Sequence, residues 1–262
     1  MTFLPLVALK SEEGNTPEFK GTLCDPAQAL RKRWLEASGT STFKPWANLR
    51  GNDKKNMFHD EAVALMDSDI VVRSAYQLLP AHFLMDARKY SIEHIVPRSK
   101  INGPHPGAAE DDPRGWWIAE RNTNSRRGNL PLALWPDPSD GPFPTREVHE
   151  VDGVNHFFPP MEHRPLLARI WLFVRFNYRC IDHFDPPSSA QLQHMNEICA
   201  IAKQSISAQE RAMNNKLFTK FNVKNPLIDP LIEDKKSEWL DDPNFRYQCF
   251  HPHEVRVGKR RA

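Results

Sequence analysis

Cysteine is scarce in this chain: four in 262 residues, Cys24, Cys180, Cys199 and Cys249, none of them in a CxxC pair. That excludes the dense disulfide framework of small secreted domains. Glycine is scarce too, at 11 residues against 23 prolines, so extended, Pro-punctuated connections are expected. No apolar run approaches the roughly 18 residues of a membrane helix, so no membrane partner is expected. Charge of one sign is also missing: 35 Lys and Arg face 33 Asp and Glu, a formal net charge of +2. This excludes a histone-like basic binder but leaves room for a local basic groove. The N-terminal MTFLPLVALKSEEGN lacks the basic lead and long apolar stretch of a signal peptide, so synthesis in a reducing, cytosol-like compartment is expected. Internal repeats and low-complexity tracts are absent as well.

What remains is a foldable composition, 40% hydrophobic and 26% charged, long enough to bury a sizeable core. Apolar spacing predicts helices over residues 25–36, with Leu30 and Trp34 on one face, and over 56–66; residues 70–84 are apolar and suit a helix or a strand, with helix preferred. A strand is expected over residues 89–96, stopped by Pro97. Residues 99–113 read as loop and 116–127 as one helix ended by Gly128. The Pro-rich stretch 130–160 is expected to wander over the surface. Three helices follow, over residues 164–178, 189–203 and 207–221. The last opens on Ser207-x-x-Glu210, a capping box. Beyond Pro230 the chain reads as a Pro-rich, charged tail.

Two segments carry residue types that do chemistry. Glu93-His94 sets a carboxylate, able to hold a metal, beside an imidazole, able to act as a general base. Neighbouring side chains of a regular strand point to opposite faces, so a bulge or the end of the strand is needed to aim both inward. In the second segment Glu120, Asn124 and Arg127 fall on one face of the expected helix. An amide oxygen is a hard ligand suited to Mg²⁺, and an arginine one turn away suits a phosphate.

Glu93-His94-Ile95-Val96-Pro97-Arg98-Ser99 resembles the E-H-x-x-P-x-S motif of the endonuclease I family, nonspecific nucleases of the ββα-metal (His-Me finger) superfamily. Asn124-Ser125-Arg126-Arg127-Gly128-Asn129 is similar to that family's second motif, N-x-x-R-[SG]-N. Ala168-Arg169 with Leu172-Phe173, then Ser207-x-x-Glu210-Arg211, and finally Asn225-Pro226-Leu227-Ile228-Asp229, resemble its later signatures in order. The likeness covers residues 88–230. It departs from the family in lacking a cysteine-rich insert and in carrying Arg114-Gly115-Trp116-Trp117-Ile118 where H-N-L-x-P leads into the helix.

The resemblance implies an α+β, mostly helical fold with a ββα-metal finger nuclease core packed against C-terminal helices. It implies a nuclease domain over residues 81–230; outside its reach the sequence reads as an N-terminal helical extension (residues 1–80) and a Pro-rich, basic tail (231–262). Glu93 and Asn124 would hold Mg²⁺, with Mn²⁺ or Ca²⁺ able to replace it in binding. His94 would be the general base, an imidazole of pKa ~6.5 suiting that role near neutrality. Arg98, Arg114 and Arg127 are candidates for the arginine near the phosphate, and the sequence does not choose among them. Arg98, Arg121, Arg126 and Asn129 are candidate nucleic-acid contacts. The implied activity is sequence-nonspecific hydrolysis of DNA, with RNA as a further substrate, to 5′-phosphate and 3′-hydroxyl ends. Its alternatives are a nucleic-acid-binding or particle-associated structural protein, or a nuclease restricted to structured RNA or branched DNA. A nuclease made in a cytosol endangers its own cell, so an inhibitor, a special export route or a particle partner is expected. Cys249-Phe250-His251-Pro252-His253 has zinc-capable residues without the spacing of a finger; a buried cysteine and tail histidines are the plainer reading.

Overall fold

The computed structural model describes residues 7–10, 17–20, 30, 32–34, 36–38, 60, 74–76, 89–100, 112–136, 147–178, 187–229 and 233–250. Among the described residues six strands form three separate antiparallel pairs: β1 (Val7–Lys10) with β2 (Pro17–Lys20), β3 (Tyr90–His94) with β4 (Trp116–Glu120), and β5 (Val148–Val151) with β6 (Val154–Phe157). The helices are α1 (Arg121–Arg127), α2 (Arg164–Tyr178), α3 (Ser189–Gln193), α4 (Met195–Ala202), α5 (Ala208–Phe221), α6 (Glu233–Asp241) and α7 (Pro243–Phe250). The fold is mixed α+β and mostly helical.

Helix α2 is the centre. Every one of its residues is buried, the polar ones Arg164, Arg169, Arg175 and Asn177 included. Its polar residues survive there because each is hydrogen-bonded. Arg164 Nε donates to Pro159 O at 2.9 Å, Arg175 Nε to Cys249 O at 2.6 Å, and Asn177 Oδ1 accepts from Trp34 Nε1 at 3.2 Å. Trp34, on the helical residues near the N-terminus, packs against Phe173, Phe176, Trp239 and Phe245. Trp34 and the C-terminal helices α6 and α7 therefore share one core with α2.

Five expectations change. Residues 116–127 are not one helix: Trp116–Glu120 pair with β3, and the helix begins only at Arg121. Glu120 makes the switch, its carboxylate accepting from the Asn122 and Thr123 amides at 2.9 and 2.7 Å and so capping α1. Residues 130–160 do not stay on the surface. Leu132 to Trp135 are buried, and β5 and β6 form a hairpin through Asp152-Gly153, both at positive φ (51° and 76°). The expected helix 189–203 breaks at His194 into α3 and α4. The C-terminal tail holds α6 and α7, whose Trp239, Leu240, Phe245 and Phe250 enter the core. Ser74–Tyr76 are not helical; the rest of 70–84, and all of 56–66 but Asp60, lie outside the described residues.

Candidate active site

Strand β3, strand β4 and helix α1 follow one another as a hairpin and a helix. The register is regular, Ser91 facing Ala119, Glu93 facing Trp117 and His94 facing Trp116, with no bulge. Ser91 and Glu93 therefore leave one face of β3, toward α1, while Ile92 and His94 leave the other. On α1, Asn124 and Arg127 stand one turn apart and meet those two side chains in the same order.

Asn124 Nδ2 donates to Ser91 Oγ at 2.8 Å and to Ile92 O at 3.3 Å. A carbonyl accepts only, so these partners fix the amide orientation and turn Oδ1 away from β3. Arg127 Nη1 donates to Glu93 Oε1 at 2.6 Å and to His94 O at 3.1 Å, and Nη2 to Ile95 O at 2.8 Å. Tyr76 Oη donates to the same Glu93 Oε1 at 2.6 Å. Glu93 Oε2 and Asn124 Oδ1 accept no hydrogen bond from the described residues. Burial pushes the Glu93 carboxyl above its ordinary range, with Arg127 and the Tyr76 hydroxyl pulling it back.

His94 lies on the opposite face, its ring centroid 5.4 Å from that of Trp116. It is half-buried and is the last residue of β3. The side chains of Glu93 and His94 thus flank the end of one strand from its two faces.

The three arginines offered for a phosphate sit in different surroundings. Arg114 is inside: Nε bonds both Asp112 oxygens, Nη2 lies 2.7 Å from Asp112 Oδ2, and the guanidinium stands over the Phe173 ring. Tyr178 Oη donates to the same carboxylate. Arg127 is the buried partner of Glu93. Arg98 is exposed, on the 3₁₀ turn Arg98–Lys100 that follows His94. Arg121, Arg126 and Asn129 are exposed on and after α1, and Arg126 Nη2 reaches Glu147 Oε1 at 3.0 Å. Trp116 and Trp117 are 4% and 3% exposed, so neither ring is open for stacking on a base.

No protein-family model and no curated protein matches this chain.

The remaining motifs form scaffold. Arg169 on α2 and Glu210 on α5 form a buried ion pair, and Arg169 Nη1 also donates to Ala202 O and Gln204 O, each at 3.0 Å. Glu210 Oε2 closes the capping box on Ser207 N at 2.8 Å. Asn225 N donates to Asn214 Oδ1 at 2.7 Å, and Asn225 Oδ1 accepts from Leu227 N at 3.0 Å, capping the turn Pro226–Ile228. These contacts join α2, α5 and the segment after it without approaching Glu93.

Among the described residues no group of three His, Cys, Asp or Glu side chains is placed to hold a metal ion. Mg²⁺ does not need one. It is held by one or two protein oxygens and keeps several waters. Glu93 Oε2 and Asn124 Oδ1, one carboxylate and one amide oxygen on the same side of β3, fit that donor chemistry. Cys249 is buried, and His251 and His253 lie outside the described residues, as do Cys180 and His183. No helix among the described residues is long and apolar enough to cross a membrane.

Tyr76 and Asp112 belong to no motif of the sequence, and Tyr178 reads there only as part of the apolar face of its helix. The only signal for Tyr76 was a phenol inside an apolar run, where a buried hydroxyl requires a partner.

Proposed function

We propose that the chain is a metal-dependent, sequence-nonspecific endonuclease of the ββα-metal kind, acting on DNA and also on RNA. One observation carries the reading. Across the β3–α1 contact, Glu93 and Asn124 each keep an oxygen without a hydrogen bond, while their other polar atoms are tied down. The motif order that resembles the endonuclease I family supports it.

Glu93 Oε2 and Asn124 Oδ1 hold the ion. Bound Mg²⁺ supplies Lewis acidity and positive charge at the scissile phosphate. His94, at the end of β3, takes the proton of the attacking water. Arg98, exposed four residues on, meets a phosphate oxygen. Hydrolysis breaks the P–O3′ bond and leaves 5′-phosphate and 3′-hydroxyl ends. Arg121, Arg126 and Asn129 meet the backbone, so affinity falls steeply with salt and little base preference is expected.

The test is plasmid nicking with Mg²⁺, with EDTA, and by His94→Ala. Loss of a general base lowers the rate by about 10²–10⁴. Equal nicking by wild type and His94→Ala removes the catalytic assignment. The burial of Glu93 favours one other reading, a protein that binds nucleic acid without cutting it. Gel-shift binding with no nicking would select that reading. Cleavage of structured RNA or branched DNA but not of plasmid would select a restricted nuclease.

A further inference from the structure

We infer that Tyr76 is a positioning residue of the metal site, holding Glu93 so that one carboxylate oxygen stays available to a divalent cation. The inference rests on the reading of Glu93 as an ion ligand. Tyr76 lies in the N-terminal part of the chain, outside the stretch that the family motifs cover.

The argument starts from the geometry of arginine. A guanidinium beside a carboxylate commonly takes both oxygens with two parallel N–H donors. Arg127 does not do so. It spends Nη1 on Glu93 Oε1 and His94 O, and Nη2 on Ile95 O. The Tyr76 hydroxyl takes the same Oε1 at 2.6 Å. With two donors on Oε1, one from α1 and one from Tyr76, the carboxylate is fixed in rotation and Oε2 is the oxygen left over.

Tyr76 is itself held firmly enough for this task. Its ring packs on Phe157 at 4.7 Å between centroids, and its N–H donates to Ser74 Oγ at 3.1 Å. The preceding residue is tied on both sides: Ala75 N donates to Ile118 O of β4 at 2.7 Å, and His163 Nδ1 donates to Ala75 O at 3.2 Å. A ligand held by a partner whose own conformation is locked is the arrangement that sets metal affinity.

The experiment is Mn²⁺ binding to the full chain, without nucleic acid, followed by electron paramagnetic resonance. Four proteins are compared: wild type, Tyr76→Phe, Tyr76→p-aminophenylalanine and Glu93→Gln. Tyr76→Phe keeps the ring and removes the donor, and its dissociation constant for Mn²⁺ is expected to rise about tenfold. The p-amino variant restores a donor at the same ring position and returns the constant to within about threefold of wild type, by the same reasoning. Wild-type affinity in Tyr76→Phe overturns the inference and leaves the nuclease reading standing. Equal binding by wild type and Glu93→Gln, or none by either, removes the metal reading and this inference with it. If Tyr76→Phe does not fold, the p-amino variant decides: wild-type affinity supports the role of the donor, and tenfold weaker binding by the folded variant overturns it.

Discussion

Arg127 Nη1 lies 2.6 Å from Glu93 Oε1, and the two side chains are 2% and 3% exposed. A guanidinium and a carboxylate out of water are tolerated only together, because each charge offsets the other's loss of hydration. The pair also explains why α1 sits where it does. The last turn of the helix is fixed to the end of β3 through Glu93, His94 O and Ile95 O at once.

Removing one member of that pair strands the other. Arg127→Met is expected to cost about 3–5 kcal/mol of stability, measured by urea unfolding. The double variant Arg127→Met with Glu93→Leu should recover most of that loss, since an apolar pair of similar volume needs no hydration. A double variant as unstable as Arg127→Met would show that the pair's position, not its charge balance, matters.

Gly115 is where the turn Pro113–Gly115 touches α2. A Cβ there would stand 2.9 Å from Val174 Cγ2, a branched side chain with no room to retreat inside the core. Gly115→Ala should therefore destabilise by about 1–3 kcal/mol, read as a lowered midpoint in thermal unfolding. Gly115→Ala combined with Val174→Ala should regain part of the loss.

His156 gives a pH dependence with a definite sign. The ring is fully buried, Nδ1 donating to Val154 O at 2.9 Å and Nε2 accepting from Ser188 Oγ at 2.7 Å. Burial lowers its pKa below the ordinary 6.5, against the opposing pull of Val154 O and Asp152. Below pH 6.5 the unfolded chain takes up a proton that the folded chain refuses. Stability is thus complete above about pH 6.5 and is lost as the pH falls toward and through the folded pKa. Thermal unfolding at pH 7.5 and pH 5.5, chosen to bracket roughly that window, should show a smaller acid loss for His156→Gln than for wild type. Parallel curves would remove His156 from the account.

Cys199 should be inert in the folded protein. Burial pushes its thiol up to about 11, with Arg246 and Lys203 pulling the other way. At a mildly alkaline pH almost none is thiolate, and the side chain is inaccessible besides. Iodoacetamide followed by peptide mapping should label Cys199 and Cys249 only after denaturation. Rapid labelling of either in the native state would contradict the packing around α2 and α7.

Much of the helical frame was legible in the sequence. Residues 164–178 carry a strong apolar face, and the capping box Ser207-x-x-Glu210 announces its helix; both α2 and α5 start as read. The strand at 89–96 and the stop at Gly128, which adopts φ +52°, follow from β-formers before a proline and from a residue that tolerates that angle. Trp116–Glu120 was misread because Trp-Trp-Ile-Ala suits a buried helix and a buried strand alike, and only pairing with β3 separates them. Residues 233–250 looked like a tail because their composition is polar; their few large apolar side chains suffice once α2 gives them a surface to cover.

The sequence by itself determined which residue types stand near the end of one strand and along one short helix: Glu93, His94, Asn124 and Arg127 are there by number and order. Tertiary structure alone decided how they are placed. It set Glu93 and His94 on opposite faces, because an unbulged strand alternates. It drew Arg114 and Arg127 inward as ion-pair partners and left Arg98 at the surface, because a buried carboxylate needs a buried cation and the chain supplies one to each. And it brought Tyr76 to Glu93 from 17 positions away in sequence, a contact that local pattern does not encode.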